Sequence, residues 1–246
     1  MNRYYYDLHV HSCLSPCGDN DNTPNNLAGM AAVKGLQVLA LTDHNTCGNC
    51  PAFYTACKRQ GIIPIAGMEL TTAEDIHLVC LFPSLEKAMA FHEVVQTHRI
   101  LIPNRVDIFG DQFILDGEDN LIGTESYLLP NATDLSLEEG TALAKEMGAV
   151  VYPAHIDRTT NGIVATLGVF PEEPYFPAVE YREKEKKKEL EEQFPILKTK
   201  PSVVSSDAHF LWDMNEPENY FEIEDEPYSG DRVRNEIFRL LSGGMV

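Results

Sequence analysis

The 246-residue sequence is short of basic side chains, and this shortage argues against one class of partner. It has 19 Lys and Arg against 38 Asp and Glu, for a net charge of -19. Nucleic-acid backbone repels so acidic a chain unless a local basic groove is present. The basic run at 182–188 is interleaved with glutamates, which is typical of a solvated helix face. We therefore expect no nucleic-acid partner.

The sequence also lacks long apolar segments. No run of about 18 apolar residues occurs, so we expect no membrane span and no membrane partner. The N-terminus has no basic segment followed by an apolar one, so we expect no signal peptide. Six cysteines in such a chain predict reduced thiols and a cytoplasmic location. An alternative for the loop pairs Cys13/Cys17 and Cys47/Cys50 is a structural zinc or iron–sulfur site, although the Cys-x3-Cys spacing is atypical.

Strand-like and helix-like segments alternate with short connections. Residues 4–10, 36–42 and 62–66 read as strands, and helices are expected from Pro24 and over 51–60. This alternation predicts an α/β fold with a parallel sheet or barrel. We expect a single domain over 1–246 with an insertion at about 99–130. Within it, 113–122 reads as a hairpin that turns at Asp116-Gly117 and leans over the site.

Histidines and acidic side chains collect where the predicted strands end. His9 and His11 point to one side of the first strand, because alternate residues share a face. His44 and Glu69 follow later strands, and ligands of parallel α/β folds gather at that edge. Imidazole and carboxylate together suit zinc, iron or manganese. The candidate metal ligands are His9, His11, Asp19, His44, Glu69, His77, His155, Asp207 and His209. Because so many exceed the needs of one ion, we expect two to three divalent ions.

Four motifs occur in order along the chain: Asp7-Leu8-His9-Val10-His11-Ser12, Leu41-Thr42-Asp43-His44-Asn45, a lone His155 after a strand, and Ser206-Asp207-Ala208-His209. Together the set resembles the PHP (polymerase and histidinol phosphatase) superfamily of metal-dependent phosphoesterases. The resemblance implies a distorted (β/α)7 barrel with three metals at the carboxyl ends of the strands.

The resemblance also implies which residues share each ion. One metal would take His9, His11, Glu69 and Asp207. Glu69 would bridge to a second metal, which His77 and His155 also hold. A third would take His44, His209 and an acid from the loop after His11.

The sequence departs from the family pattern at that loop acid. The usual position, five residues past the second histidine, is occupied by Pro16. If positions are counted back from Thr23-Pro24, at the start of the next helix, Asp19 falls at the position of the family's acid. Asp19 is therefore our choice. Asp21 and Cys17 remain alternatives, and the filling of the third site stays open.

The predicted activity is hydrolysis of a small phosphate monoester, of nucleotide or sugar-phosphate type, by a hydroxide that bridges the metals. No further catalytic residue is assigned. Arg158 is the candidate phosphate-binding residue, because a guanidinium fork matches two phosphate oxygens. Asp43 is the candidate for holding a metal-bound ring.

Alternatives to this activity are a histidinol-phosphatase-like enzyme, an exonuclease-type PHP module, and a non-catalytic metal-binding regulatory protein. Amide hydrolysis also stays open, since the same hydroxide can attack other bonds. The sequence does not decide the substrate, the metals or the oligomeric state.

Overall fold

The structure is a computed structural model that describes residues 1–243, so the last three residues of the predicted domain lie outside it. Its strands are Asn2–Val10 (β1), Val38–Leu41 (β2), Ile63–Thr71 (β3), His77–Phe82 (β4), Phe113–Leu115 (β5), Leu121–Thr124 (β6), Val150–Pro153 (β7), Val179–Tyr181 (β8), Ser202–Val204 (β9) and Tyr220–Ile223 (β10). Six of them form one curled sheet in the order β10-β1-β2-β3-β4-β7. The pairs β5–β6 and β8–β9 form two smaller sheets.

Helices lie between most of these strands. They are Pro24–Lys34 (α1), Cys50–Gln60 (α2), Leu85–Gln96 (α3), Val106–Phe109 (α4), Leu137–Glu146 (α5), Ile163–Leu167 (α6), Lys187–Gln193 (α7) and Gly230–Leu241 (α8). Short 3-10 turns occupy Lys184–Lys186, Pro195–Thr199 and Leu211–Asp213. No helix in the described part of the chain is both long and apolar enough to cross a membrane.

The curled sheet and the β8–β9 pair together complete a distorted barrel. Strands β1, β2 and β3 run parallel, as do β8 and β9. The Ile156 amide donates to the Glu180 carbonyl (3.0 Å), which links the end of β7 to β8. The His11 amide donates to the Ala208 carbonyl (3.0 Å), which links the segment after β9 back to β1. The predicted α/β fold with a distorted barrel is thus confirmed.

One strand runs against the expected direction. β4 is antiparallel to both β3 and β7. The turn between β3 and β4 spans only 72–76, far too short for the crossover that a parallel neighbour requires. As a result His77, the first residue of β4, lies at the same edge of the sheet as the carboxyl end of β3.

Local sequence signals set where the helices begin and end. The Thr23 side chain accepts from the Asn26 amide and Pro24 occupies the first turn of α1, while Gly35 ends the helix at a φ of 77°. Ser136 and Glu139 form a reciprocal capping box at the start of α5. These signals explain why the predicted helix starts agree closely with the structure.

Apolar side chains pack on both faces of the sheet. Along β2, Leu39 and Leu41 join the cluster that contains α1, α2 and α3, whereas Val38 and Ala40 join the cluster that contains α8. This alternation is the period of a strand buried on both faces. The two-sided core fixes the strands, and therefore the edge from which the functional side chains project.

Three segments differ from the sequence-based expectation. Composition predicts an acidic loop at 222–226, but this stretch overlaps β10, which pairs antiparallel with β1. The glycine and proline content of 162–177 predicts a loop as well, but this segment contains the short helix α6. The hairpin at 113–124 forms as expected, but its turn closes between Asp116 and Asn120, with Asp119 at a φ of 60°. The extent of the insertion at 99–130 stays a prediction.

Candidate metal centre

Glu69 is the centre of a buried cluster of histidines. It lies in β3 and is completely buried. Its two carboxylate oxygens face imidazole nitrogens from four other parts of the chain. Oε1 lies 2.8 Å from His77 Nδ1, 3.1 Å from His155 Nε2 and 3.3 Å from His9 Nε2; Oε2 lies 2.9 Å from His44 Nδ1 and 3.3 Å from His11 Nε2. The strand ends therefore converge as the sequence predicts.

Three overlapping groups of side chains bring their ligand atoms within 4.8 Å of one another. They are His9/His11/Glu69/Asp207, His44/Glu69/His77 and His11/His44/His209. The first group equals the set that the family resemblance implies for one metal. The other two differ in detail, since His44 joins Glu69 and His77, and His11 joins His44 and His209. His155 stands beside the second group through its contact with Glu69.

The donor chemistry of this cluster fits divalent cations. His44 Nδ1 and Glu69 Oε2 are buried 2.9 Å apart, yet neither has a hydrogen-bond partner. Such orphaned acceptors are costly inside a protein unless something with positive charge satisfies them. Imidazoles and carboxylates are ligands of zinc, iron and manganese, so the residues present suit such ions.

The electrostatics favour charged carboxylates in the cluster. Burial alone would raise the pKa of Glu69, but His77, His9 and His44 outweigh it and hold the pKa well below its usual range. Burial is likewise outweighed at Asp207, where His9 and His11 lower the pKa. Both groups are therefore anionic at neutral pH, which is the form that binds a cation.

Left-handed backbone positions aim the side chains at the strand ends. Asn45, His155 and Asp207 are non-glycine residues with φ values of 51°, 29° and 54°. Such positions carry strain and persist only where the surroundings hold them. At Asn45 the hold is visible: its Oδ1 accepts from the Thr71 amide (2.8 Å), and its Nδ2 donates to the Leu129 carbonyl (2.8 Å).

Glu180 in β8 supports the cluster and was missed by the sequence analysis. Its Oε1 lies 2.8 Å from His9 Nδ1 and also accepts from the His155 amide at 3.0 Å. It thereby holds the His9 ring so that Nε2 faces Glu69. A signal was present: Glu180 is a charged residue between Val179 and Tyr181 in a strand that is otherwise apolar and buried.

Asp43 reaches the His11 ring through Ser15. Its Oδ1 accepts from the Ser15 hydroxyl at 2.7 Å, and that hydroxyl lies 2.9 Å from His11 Nδ1. Asp43 also accepts from the Ser12 amide and hydroxyl (2.8 and 2.6 Å). It thus orients His11 through Ser15 and fastens the loop after β1.

Asp7 ties the ends of two strands together. Its carboxylate accepts from the amides of Ser206 (3.0 Å) and Asn215 (2.9 Å). Complete burial raises the pKa of Asp7 to about 6 despite these bonds. The bonds fix the backbone next to Asp207, so the first residue of the first motif positions the last motif.

A cleft of about 270 Å³ opens onto the cluster. Arg158 and Pro130 line it together with the metal-ligand candidates at its floor. Arg158 is about a third exposed, and its guanidinium lies 2.5 Å from Asp207 Oδ2. The structure therefore places Arg158 at the side of the cleft, paired with Asp207.

The loop after β1 brings Cys17, and not Asp19, to the cleft. The Asp19 carboxylate accepts from the Asp21 amide (2.8 Å), and Asp19 belongs to none of the three groups found within residues 1–243. Cys17 lines the cleft beside His44 and His209. Cys17 is exposed; partial desolvation raises the pKa of its thiol, but the neighbouring His44 and His209 rings outweigh this effect and lower it to about 5.

The other loop cysteines do not gather with Cys17. Cys13 is buried with its sulfur directed at the Phe113 carbonyl, while Cys47 directs its sulfur at the Gly67 carbonyl (3.2 Å). Across the described residues, the three metal-ligand groups include no cysteine. The structure therefore gives no support to a site built from four thiolates. All six cysteines are free.

Comparison with known proteins supports the resemblance seen in the sequence. Residues 7–102 match the PHP domain. The chain is 34% identical over 119 residues to a 5'-3' exoribonuclease of Haemophilus influenzae, covering 47% of this chain and 42% of that protein. It is 39% identical over 77 residues to an error-prone DNA polymerase of Symbiobacterium thermophilum, covering 31% of this chain and 7% of the polymerase. The chain thus spans less than half the length of either relative.

Solved structures share the fold over nearly the whole chain. A lesion-specific endonuclease from Pyrococcus furiosus has a TM-score of 0.66 at 17% identity, over 98% of this chain and 56% of that one. A metal-dependent phosphoesterase from Bifidobacterium adolescentis has a TM-score of 0.57 at 18% identity, over 97% and 96%. The resemblance noted in the sequence is confirmed: residues 7–102 match the PHP domain, and the fold is shared with these solved structures over nearly the whole chain.

The sequence analysis predicted a small phosphorylated substrate and excluded nucleic acid. These relatives show that this prediction of partners was wrong. One neighbour of the same fold is endonuclease Q, solved with a 27-mer duplex that carries an abasic lesion at its active site. The exclusion rested on net charge, which sums the whole surface. Binding at a metal cleft depends on the local field, and bound cations invert that field.

Proposed function

We propose that this protein is a metal-dependent phosphoesterase that cleaves a phosphate ester bond at the end of a nucleic-acid strand. The observation that carries the proposal is the buried Glu69 cluster at the floor of a cleft that Arg158 lines. Divalent ions held there would activate water and offset the charge of the phosphoryl oxygens. The centre would hold two or three ions, and each would be zinc, iron or manganese.

The chain's own side chains would divide this work. The three groups around Glu69 would hold the ions, with His155 beside them. Glu180 and the Asp43–Ser15 pair would keep the His9 and His11 rings in register. No histidine ring would then need to reorient as the substrate arrives, which is the benefit of a preorganised site.

Arg158 is the group we assign to the phosphate. A guanidinium offers a planar fork of donors that matches two phosphate oxygens. In the structure Arg158 pairs with Asp207. A bound cation would share the negative charge of that carboxylate. Arg158 would then bind a phosphate oxygen while remaining anchored at the edge of the cleft.

An exposed aromatic pair supports a nucleotide over a simpler ester. Phe210 and Trp212 follow His209 directly; their rings stack with centroids 5.1 Å apart and planes 18° apart. Trp212, the chain's single tryptophan, is 67% exposed. Lys34 holds this segment by donating to the Trp212 carbonyl at 3.0 Å. Exposed stacked rings offer a base a surface that tolerates any sequence.

The size of the cleft favours a strand end over a duplex. At about 270 Å³ it lies just below the usual range for ligand pockets, about 300 to 1,000 Å³. That volume admits a phosphate with its nearest sugar. The exoribonuclease and polymerase relatives support the same substrate class.

The test is a substrate panel with Mn²⁺-loaded protein. It contains end-labelled single-stranded RNA and DNA, a duplex, and small phosphate monoesters such as nucleotides and sugar phosphates. We expect nucleotides to be released stepwise from single strands, and release to stop on treatment with chelator. Turnover confined to the monoesters would overturn the substrate assignment, and no turnover of any ester by loaded protein would overturn the phosphoesterase.

A further inference from the structure

Arg182 differs from the other arginines of the chain in that its guanidinium has no protein partner. The sequence has nine arginines. Within residues 1–243, eight of them donate from the guanidinium to a carboxylate, a side-chain amide or a backbone carbonyl. Arg182 is exposed, and its side chain makes no hydrogen bond or ion pair with any of those residues. In a chain with twice as many acids as bases, this cation is left free to bind an anionic ligand.

The chain delivers Arg182 at the edge of the sheet where the metal centre lies. Arg182 comes directly after β8, and Glu180 within that strand lies 2.8 Å from His9 Nδ1. Residues two apart along a strand point to the same side. Arg182 therefore leaves the strand on the side that carries Glu180, which is the side of the metal centre.

Asp157 holds the backbone of Arg182 close to that of Arg158. Asp157 Oδ1 accepts from the Arg182 amide at 2.9 Å, and its Oδ2 accepts from the Glu183 amide at 2.8 Å. The next residue in the chain is Arg158, which lines the cleft. Glu183 in turn pairs with Lys186 at 2.7 Å. The two carboxylates nearest to Arg182 in this contact are thus already engaged, and its own charge stays available.

The cleft itself does not extend as far as Arg182. Its lining includes Arg158 but not Arg182. A volume of about 270 Å³ admits one phosphate with its nearest sugar, so a strand that enters the cleft would carry its next phosphate outside it. Arg182, held beside Arg158 at the same edge of the sheet, is the free cation at that place.

We propose that Arg182 binds the phosphate of the nucleotide next to the one that is cleaved, and so makes the protein prefer oligonucleotides over esters with a single phosphate. The proposal rests on the proposed function, since it requires a nucleic-acid strand as substrate. A guanidinium matches the oxygens of a phosphate, and phosphate contacts position a strand without reading its bases. The preference would therefore depend on the number of phosphates and not on sequence.

The test compares two substrates of Mn²⁺-loaded protein. A dinucleotide without terminal phosphates has only the phosphate that is cleaved, and a trinucleotide of the same kind has one phosphate more. We expect the wild type to have the higher kcat/KM with the trinucleotide. Arg182→Gln should reduce this preference by about 2- to 5-fold, the range for a charge pair exposed to solvent. The slope of log KM for the trinucleotide against log salt concentration should fall by about 0.7, the value for one phosphate of a single strand.

Two further variants separate the charge of Arg182 from other effects. Arg182→Lys keeps the charge and should keep most of the preference and the wild-type salt slope. Arg239→Gln is the matched control, because it removes the same charge from α8, where Arg239 pairs with Glu236. It should leave both values at wild type.

An unchanged preference in Arg182→Gln would overturn the role of Arg182, as would an equal loss of salt slope in Arg239→Gln. Failure of the proposed function would look different, because loaded wild-type protein would then cleave neither oligonucleotide. That result would overturn both proposals together, since the Arg182 site requires a strand as substrate.

Discussion

Single side chains decide most of what this site can do, and the sequence reveals many of them. The histidines and acids at the strand ends were expected to meet because few residue types bind metals and their motifs are ordered, and the structure brings them together except for Asp19. Supporting residues were harder to find. Glu180 and the path from Asp43 through Ser15 depend on side chains from distant segments meeting in space, which spacing along one strand does not encode.

Asp207→Asn tests the floor of the cleft with little change in shape. Asparagine tolerates the left-handed backbone found at this position, so the fold should survive, as circular dichroism would show. We expect loss of bound metal and an activity drop of more than about 100-fold. Losing a residue that only supports a metal ligand costs about 10- to 100-fold, so losing a ligand itself should cost more. Metal content and turnover, measured together, check this. Full activity with full metal content would contradict the assignment.

Glu180→Gln tests the residue that positions His9. The substitution removes the charge that faces His9 Nδ1 and keeps the side-chain volume. We expect metal affinity to fall by about 10- to 100-fold, as for other carboxylates behind a histidine ligand. Competition with a calibrated chelator measures the affinity. Glu183→Gln, at an exposed neighbouring glutamate, is the control, and equal affinity in the two variants would refute the role.

Trp212→Ala tests the aromatic pair as a surface for a base. Stacking of one base on an aromatic ring contributes about 1 to 3 kcal/mol, so the KM for an oligonucleotide should rise correspondingly. Turnover of a sugar phosphate should stay unchanged, because such a substrate has no base to stack. Tyr228→Ala, at another exposed aromatic residue, should leave both values at wild type. An unchanged KM for the oligonucleotide would remove the aromatic pair from the substrate path.

Individual strands and helices were predicted well where a cap or an apolar run marks them. The start of α1 follows directly from Thr23-Pro24, and the hairpin β5–β6 from its Asp-Gly turn. The direction of β4 was not foreseen. Apolar runs in parallel and antiparallel strands look alike, and only the five-residue turn at 72–76 excludes a crossover. That reversal is what brings His77 to the cluster.

Gly67 in β3 tests how tightly the strands are packed beneath the site. A Cβ at this position would lie 2.9 Å from the Cys80 carbonyl oxygen and from the Thr42 and Leu81 side chains. Gly67→Ala should therefore lower the free energy of unfolding by about 1 to 3 kcal/mol, the usual cost of overpacking. Denaturant titration measures it.

Gly29 in α1 provides the matched control for that substitution. A Cβ at Gly29 meets nothing within 4 Å, so Gly29→Ala should raise stability by about 0.5 to 1 kcal/mol. Equal effects of the two substitutions would show that helix or strand propensity, and not the close contact at Gly67, governs the outcome.

For the molecule as a whole, the alternation of strands and helices predicted the fold class correctly, whereas composition misled on partners. A net charge of -19 describes the average surface, whereas the substrate meets one cleft. The gathering of the motifs at one edge, in contrast, was accessible from the sequence, because each motif follows a strand and parallel strands share an edge. The closing of β8–β9 against β1 and β7 depends on long-range pairing that no local pattern specifies.

The central claim is that hydrolysis depends on metal held by the Glu69 cluster. The most direct measurement strips the protein with chelator, adds Mn²⁺ or Zn²⁺ in steps, and follows bound metal and cleavage of a single-stranded oligonucleotide in the same samples. We predict no cleavage without metal and a rise in rate that tracks occupancy of the centre. Cleavage that persists in metal-free protein would contradict the account, as would fully loaded protein that cleaves no phosphate ester.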